Sequence, residues 1–392
     1  MSAIPAARSS QASPLPEEPR AADLKLLVPT LGLISFGVAM VFSASIPFCA
    51  REESGHLFYY LWRELLFVGV GVLAMWGITH VPMDALRRSS RFWFVLTAAL
   101  LAGLFPFGTM VNGSKCWYTI FGFSFQPSEM AKLALVICCA GLFARHPQGM
   151  HRWQLTLQPF AVLGLVAGLI VLEPDMGTAA VIVMAMFIFY HSAGMKLRHL
   201  AVAAFPGLLG AAYMIHTHPY QLERLRSFFF GGPEVELAGG YQKVRSLIAL
   251  GSGGLTGRGY FQGIEKYFYL PEVTTDSILP VIGEELGFVA TAVVTALFAA
   301  LVWRGMVIAR KAPDRFSGLV AAGVTCFFGV QALLNIAVAT GSIPATGVTL
   351  PFVSYGGSSL LFSMIGVGLL LNVSRTITWP GRRRRPSLRV IG

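Results

Sequence analysis

Ten apolar segments, each about long enough to cross a lipid bilayer, restrict the folds available to this chain. They lie at roughly 26–46, 58–79, 92–108, 127–144, 157–173, 176–193, 199–216, 278–303, 317–339 and 359–375. A helix needs about 20 mostly apolar residues to span the hydrocarbon core. Charged residues make up only 12% of the sequence, against about 25% in a soluble domain. The sequence therefore predicts an all-α polytopic membrane protein with about ten transmembrane helices.

Basic residues follow every second apolar segment. They are Arg87, Arg88, Arg91, Arg145, Arg152, Lys196, Arg198, Arg304, Arg310, Lys311, Arg315 and Arg382 to Arg385. Short loops rich in lysine and arginine stay in the cytoplasm, so these loops and both termini are predicted to be cytoplasmic. The net charge of +11 is then explained by loop orientation, and no nucleic-acid partner is expected. The predicted organisation is a disordered cytoplasmic tail over 1–22, a transmembrane domain over 23–376 and a basic cytoplasmic tail over 377–392.

The opposite, extracytoplasmic side carries a large loop, 217–277, between the seventh and eighth predicted helices. A connection of this length inside a compact protein is usually functional. Cys49 and Cys116 also fall on this side, so a disulfide between them is geometrically possible. Sequence alone does not decide how cysteines pair.

The stretch Tyr241–Gly287 crowds glycines, aromatic residues and basic residues ahead of one acidic residue, Asp276. Basic residues of this region are Arg224, Arg226, Lys243, Arg245, Arg258 and Lys266. The glycines of the sequence GSGG can bring backbone N–H groups close to an anion, and arginine binds phosphate through paired hydrogen bonds. Composition allows two interpretations, a phosphate-binding loop and a solvated outer loop.

Two pairs of charged residues lie near the ends of predicted helices. Glu129 and Lys132 are three residues apart and share a helix face, so they form either a salt bridge near the interface or a charged pair lining a polar cavity. Glu173 and Asp175 flank a proline in a tight turn. They can act as general acid and base, but the favoured interpretation makes Asp175 the N-cap of the next helix.

The stretch 344–359, PATGVTLPFVSYGGSS, contains two prolines that oppose helix formation. Taken alone, it is typical of a tight re-entrant turn that lines a cavity. A structural role is favoured over a catalytic one.

Together these segments resemble the SEDS family (shape, elongation, division and sporulation) of bacterial cell-wall proteins. The matching segments, in the family's order, are NGSKCW with FSFQPSEMAKLALV, EPDMGTA, YQKVRSLIALGSGG, KYFYLPEVTTDSILPVIGEELGF and PATGVTLPFVSYGGSSL. The last motif and the tails look more like the division subfamily, FtsW, than the elongation subfamily, RodA. The resemblance implies a multi-pass protein of the bacterial cytoplasmic membrane and a peptidoglycan glycosyltransferase that polymerises lipid II for septal wall synthesis.

The resemblance also implies a set of site residues. The family's essential aspartate corresponds to Asp276, its motif tryptophan to Trp117, and its cavity-lining glutamate and lysine to Glu129 and Lys132. Further substrate-binding candidates are Arg224, Arg226, Lys243, Arg245, Lys266, Ser354 and Tyr355. The chain departs from the family's usual residues at Cys116, Thr274 and Arg245, which weakens inferences about the neighbouring positions but leaves Asp276 intact.

In the implied reaction, Asp276 takes the proton of an acceptor hydroxyl as that hydroxyl attacks the donor sugar. The leaving lipid pyrophosphate needs positive charge, which arginine, lysine or a divalent cation such as Mg²⁺ can supply. The implied partners are lipid II, a class B penicillin-binding protein with transpeptidase activity and other divisome proteins. Two other functions stay open, a transporter that flips lipid II between leaflets and a non-catalytic scaffold.

Overall fold

A computed structural model describes residues 23–51, 57–111, 114–120, 122–146, 153–217, 219–230 and 239–377. These residues form twelve helices and one small sheet. The helices are α1 (Leu24–Arg51), α2 (Tyr59–Ile78), α3 (Met83–Phe107), α4 (Pro127–Arg145), α5 (Trp153–Leu172), α6 (Met176–Ser192), α7 (Leu197–Thr217), α8 (Pro219–Phe230), α9 (Gly239–Gly253), α10 (Ile278–Lys311), α11 (Arg315–Ala339) and α12 (Gly357–Thr376). The predicted tail over 1–22, and all but the first residue of that over 377–392, lie outside the described residues.

The predicted polytopic membrane fold is confirmed. Nine of the described helices are long and apolar enough to cross a membrane, namely α1 to α5, α7 and α10 to α12. The remaining predicted span is α6, which has 17 residues and is slightly shorter than that criterion. Helix α10 is longer than its apolar run, and near its end Arg304 pairs with Asp23 at 2.8 Å, beside the start of α1.

The centre of the bundle contains α4, α11 and α12, whose residues are mostly buried. Glycine allows two of these helices to approach closely, because a Cβ at Gly323 of α11 would lie 2.6 Å from the side chain of Val136 on α4. Packing between small residues is a main source of helix association in lipid. The outer helices α2 and α3 instead leave large apolar side chains such as Leu73 and Phe107 exposed, as helices that contact lipid do.

A small antiparallel sheet departs from the all-α prediction. It consists of β1 (Thr109–Val111), β2 (Ser114–Ile120) and β3 (Phe123–Phe125). The hydroxyl of Tyr118 donates a hydrogen bond to the carbonyl of Leu100 at 2.7 Å, which fixes the sheet to α3. Strands of three to seven residues are too short to give a clear alternation of apolar and polar residues.

The large loop is largely structured, since it contains α8, α9 and a turn-rich segment before α10. This segment is hydrogen-bonded into a break in α10 at Gly287, whose φ is 75°. The Arg258 N–H donates to the carbonyl of Glu284, and the Phe288 N–H donates to the carbonyl of Gly254, both at 2.9 Å. The backbone groups freed by the break are therefore satisfied by the loop, as membrane proteins require.

The possible disulfide between Cys49 and Cys116 is not formed. Both cysteines are buried as free thiols, and Cys116 Sγ donates to the carbonyl of Glu173 at 3.4 Å.

Candidate active site

Asp276 lies in the turn before α10 and is 8% exposed. Its Oδ2 accepts a hydrogen bond from Nε2 of Gln242 on α9 at 3.2 Å. Its backbone carbonyl accepts a hydrogen bond from Nδ2 of Asn335 on α11 at 3.0 Å. A buried carboxylate needs donors of this kind because removal from water penalises its charged form. Helices far apart in sequence thus hold this one aspartate.

The segment 340–356 holds the same turn through hydrogen bonds to its backbone carbonyls. The Tyr355 N–H donates to the carbonyl of Thr274 at 2.8 Å, and the Ser354 hydroxyl donates to the carbonyl of Thr275. Ser354 Oγ also accepts from the Leu350 N–H at 2.8 Å. In this structure Ser354, a candidate for substrate binding, therefore connects two segments of backbone.

A polar cavity of about 270 Å³ lies beside the segment 340–356. It is lined by Ser114, Cys116, Trp117, Gln126, Glu129, Lys132, Pro174, Asp175, Thr178, Val181, Gln331, Thr346, Gly347, Val348, Thr349, Tyr355, Gly356 and Ser359. The structure thus brings together four of the candidate residues, Trp117, Glu129, Lys132 and Tyr355. Asp276 does not line this cavity, but it is joined to it through the backbone contact of Tyr355.

Glu129 and Lys132 form a buried ion pair in the cavity wall. Lys132 Nζ lies 2.8 Å from Glu129 Oε2 and donates to Gln331 Oε1 at 3.0 Å. Pro127 occupies the first position of α4, as its missing N–H predicts. The structure combines both interpretations of this motif, since the pair lies in the first turns of α4 and also lines the cavity.

The turn between α5 and α6 contributes acidic groups to the same region. Asp175 Oδ1 accepts from the Thr178 N–H at 3.0 Å, which confirms Asp175 as the N-cap of α6. Burial raises the pKa of Asp175. Burial, together with the charge of Asp175, raises the pKa of Glu173 to about 8. Across the cavity, burial raises the pKa of Tyr355 to about 12, so this phenol is a neutral hydrogen-bond donor at physiological pH.

None of the basic side chains of the large loop that the structure describes lines the cavity. Arg226 is exposed on α8, and the side chain of Arg224 lies outside the described part of the chain. The ammonium of Lys243 lies 4.1 Å from the ring centre of Phe228, which ties α9 to α8. A role for Arg224, Arg226 or Lys243 as a ligand for pyrophosphate therefore stays a prediction.

Arg245 lies between two aromatic rings of the large loop. Its guanidinium is 5.2 Å from the ring centre of Tyr241 and 5.1 Å from that of Tyr269. It also lies 3.5 Å from Glu265 Oε1. The arginine is partly exposed, and its role as a substrate-binding residue stays a prediction.

Lys266 is different, because its side chain is completely buried. Its Nζ lies 2.7 Å from Glu285 Oε1 and donates to Ser43 Oγ at 3.0 Å and to the carbonyl of Phe261 at 3.1 Å. In this structure Lys266 forms an internal ion pair with Glu285.

The sequence did not assign roles to Glu284 or Glu285. Glu284 Oε1 accepts from the Ile264 N–H at 2.9 Å, and Glu285 Oε2 accepts from the Phe261 N–H at 3.1 Å. These carboxylates hold the segment before Asp276 against α10. Two adjacent acidic residues at the start of an apolar helix could have indicated such a role, because charged residues in membrane helices usually have partners inside the protein.

One glycine of the sequence GSGG, Gly253, serves helix packing. A Cβ at Gly253 would lie 1.8 Å from the carbonyl oxygen of Gly283 on α10, whereas a Cβ at Gly251 would have no atom within 4 Å. The close approach of α9 to α10 therefore depends on Gly253. This contact favours a structural role for the motif over a phosphate-binding role.

We expect Gly253→Ala to destabilise the protein by about 1–3 kcal/mol, because a backbone carbonyl cannot move aside as a flexible side chain can. The melting temperature of the purified protein in detergent measures this effect. Gly251→Ala is the matched control and should melt close to wild type. Equal melting of the two variants would contradict the packing role.

A divalent cation at this site would need ligands in addition to the side chains of the protein. Within the described ranges, no group of three or more histidine, cysteine, aspartate or glutamate side chains is arranged to hold a metal ion. Magnesium often binds through one or two carboxylates together with substrate phosphates. A cation that arrives with the pyrophosphate is compatible with this arrangement.

Comparisons with known proteins agree with the geometry. The family profile described as cell cycle protein, FtsW/RodA/SpoVE, matches residues 24–378. Stage V sporulation protein E of Bacillus subtilis is 38% identical over 360 residues, covering 90% of this chain and 97% of its own length. The probable peptidoglycan glycosyltransferase FtsW of Trichlorobacter lovleyi is 37% identical over 356 residues, covering 90% of this chain and 93% of its own.

Solved structures with the same fold include the rod shape determining protein RodA of Thermus thermophilus. It aligns with a TM-score of 0.67 at 26% identity, covering 92% of this chain and 98% of that one. A chain from a peptidoglycan synthase complex, described as coordinating polymerization and crosslinking, aligns with a TM-score of 0.74 at 26% identity. This alignment covers 91% of this chain and 98% of the other.

Proposed function

This chain belongs to the FtsW, RodA and SpoVE family of cell cycle proteins, and we propose that it polymerises lipid II into glycan strands at the outer face of the membrane. It is a peptidoglycan glycosyltransferase, the activity for which its curated relatives are named, and a multi-pass protein of the bacterial inner membrane. The observation that carries the finer proposal is the placement of Asp276. Its carboxylate is buried and accepts a hydrogen bond from α9, while its backbone carbonyl accepts one from α11. The backbone of the same turn is bonded to Tyr355, which lines the polar cavity.

Glycan polymerisation requires a poor nucleophile, a sugar hydroxyl, to attack an anomeric carbon. A new C–O bond forms between the two sugars while the bond from the donor sugar to the lipid pyrophosphate breaks. Asp276 receives the proton of the attacking hydroxyl, and general base catalysis of this kind contributes about 10²–10⁴-fold. The pyrophosphate leaves with its lipid and carries the electron pair of the broken bond.

The cavity supplies groups that suit a disaccharide. Trp117 offers an aromatic surface, Tyr355 a neutral hydroxyl, and Gln331 an amide. The Glu129–Lys132 pair presents both a donor and an acceptor while remaining neutral overall, so it can bind hydroxyl groups without a buried net charge. We assign the sugars to this cavity and to the space between it and Asp276, so that the attacking hydroxyl reaches the carboxylate, and the pyrophosphate to a position nearer the basic outer loop.

The positive charge for the leaving pyrophosphate has two candidate sources. Arg245 is partly exposed on the loop that holds Asp276, and arginine binds phosphate oxygens through paired hydrogen bonds. A divalent cation such as Mg²⁺ bound to the pyrophosphate would serve the same purpose. Either source stabilises charge where it develops in the transition state.

Crosslinking of the product requires a second enzyme. The related chain from a peptidoglycan synthase complex is described as part of an assembly that coordinates polymerization and crosslinking. We propose that this chain works in the same way with a class B penicillin-binding protein, together with other divisome proteins during septal wall synthesis.

A polymerisation assay in vesicles separates this function from transport. We expect the purified protein, reconstituted with its transpeptidase partner, to convert labelled lipid II into glycan chains resolved by gel electrophoresis. A flippase would instead move lipid II between leaflets, which a leaflet-selective chemical quencher detects, and a scaffold would do neither. Leaflet exchange without polymer would refute the proposed function.

A further inference from the structure

We infer that Gln242 is the positioning residue that orients the carboxylate of Asp276 for proton transfer. The inference rests on the proposed function, because it presumes that Asp276 is the base. Gln242 is separated from Asp276 by a long stretch of the large loop, and their contact is formed only when α9 packs on α10.

Gln242 contacts the carboxylate of Asp276, whereas two other residues contact the backbone of the turn at 274–277, here named the catalytic turn. Asn335 and Tyr355 donate hydrogen bonds to backbone carbonyls of this turn, so they fix the backbone position of Asp276. These backbone contacts do not set the rotation of the carboxylate about its terminal torsion, which is broad and poorly defined by local energetics. Gln242 contacts the carboxylate itself, through Oδ2 at 3.2 Å.

The amide of Gln242 is itself held at two points. A glutamine side-chain nitrogen carries two hydrogens, and here one is directed to Asp276 Oδ2 and the other to Ser277 Oγ at 3.0 Å. Two acceptors fix the plane of the amide better than one. A neutral donor also stabilises the ionised carboxylate without adding a charge that competes for the proton.

The position of Gln242 on α9 is set by helix packing. Residues 242, 246, 249 and 253 lie on one face of the helix. Ser246 is 3% exposed, Ala249 is fully buried, and Gly253 contacts the α10 backbone at Gly283. Gln242 therefore lies at the end of a buried stripe, and the helix delivers its amide to the catalytic turn.

Loss of this contact should slow the chemical step and leave substrate binding intact. We expect Gln242→Leu to lower kcat for lipid II polymerisation by about 10–100-fold, since a small misplacement of a reacting group can cost about 10²-fold. KM should stay close to wild type, while the melting temperature should fall modestly because a buried carboxylate loses a donor. Gln262→Leu, the same exchange at an exposed position of the same loop, is the matched control and should retain full kcat.

A second variant and a double variant complete the test. Gln242→Glu keeps the size of the side chain but replaces the donor with an acceptor, so it should also lower kcat if Gln242→Leu fails to fold. Adding Gln242→Leu to Asp276→Asn should cause no further loss, because a positioning residue acts through the group it positions.

Several results would overturn the inference. These are full kcat in Gln242→Leu or Gln242→Glu, a raised KM with unchanged kcat, a further loss in the double variant, or failure of both single variants to fold. Activity in Asp276→Asn would refute the proposed base itself. An inactive Asp276→Asn beside a fully active Gln242→Leu would refute only the positioning role.

Discussion

Asp276→Asn is expected to lower lipid II polymerisation by about 10²–10⁴-fold, the range that a positioned general base contributes. Asparagine has nearly the same shape and can still contact Gln242, so the fold should be preserved. What it cannot do is accept the proton of the attacking hydroxyl. The rate of glycan synthesis from labelled lipid II, measured with the transpeptidase partner present, is the appropriate readout.

A nearby carboxylate provides the control for this substitution. Glu272 precedes Asp276 by four residues, is exposed, and accepts a hydrogen bond from Thr275 Oγ1 at 2.8 Å. Glu272→Gln removes the same charge from the same loop and should leave the rate close to that of wild type, because an exposed substitution usually changes stability by less than about 0.5 kcal/mol. Undiminished glycan synthesis by Asp276→Asn would remove Asp276 from its assigned role. A similar loss in both variants would show that loop charge, and not a base, determines the rate.

The bundle was predictable because its signal is local and long. Apolar runs of about 20 residues predict membrane helices, and the observed α4 and α11 begin within two residues of their predicted starts. Convergence of Trp117, Glu129 and Lys132 was also expected, but only from the family resemblance. Their spacing alone left the salt bridge and the cavity interpretations open.

The detailed contacts of the large loop could not be predicted from the sequence, because they depend on tertiary packing. A lysine in a loop is usually solvated, and no local pattern indicates that Lys266 is buried against Glu285. Likewise, the sequence does not distinguish a glycine that supports close helix packing, such as Gly253, from a glycine that approaches a phosphate. Gln242 carried no signal either, since a single glutamine at a helix start becomes informative only when its acceptor, Asp276, is known.

The buried pair of Lys266 and Glu285 gives the largest expected effect on stability. Lys266→Met leaves a buried carboxylate without its counter-charge, and removal of one partner of a buried ion pair typically costs about 3–5 kcal/mol. We therefore expect a marked fall in the melting temperature of the purified protein. The segment before Asp276 should also detach from α10, because Glu285 holds the Phe261 backbone there.

The expected dependence on both partners distinguishes this role from substrate binding. Replacing both charges, as in Lys266→Met with Glu285→Leu, should recover part of the lost stability, because a buried pair can be exchanged for apolar residues at little cost. The pair of Arg245 with Glu265 is the comparison, and Arg245→Met should cost less than Lys266→Met, because Arg245 is partly exposed whereas Lys266 is completely buried. If Lys266 instead bound pyrophosphate, Lys266→Met would melt like wild type and raise KM for lipid II. A normal melting temperature with a raised KM would therefore return Lys266 to the substrate site that its sequence motif predicted.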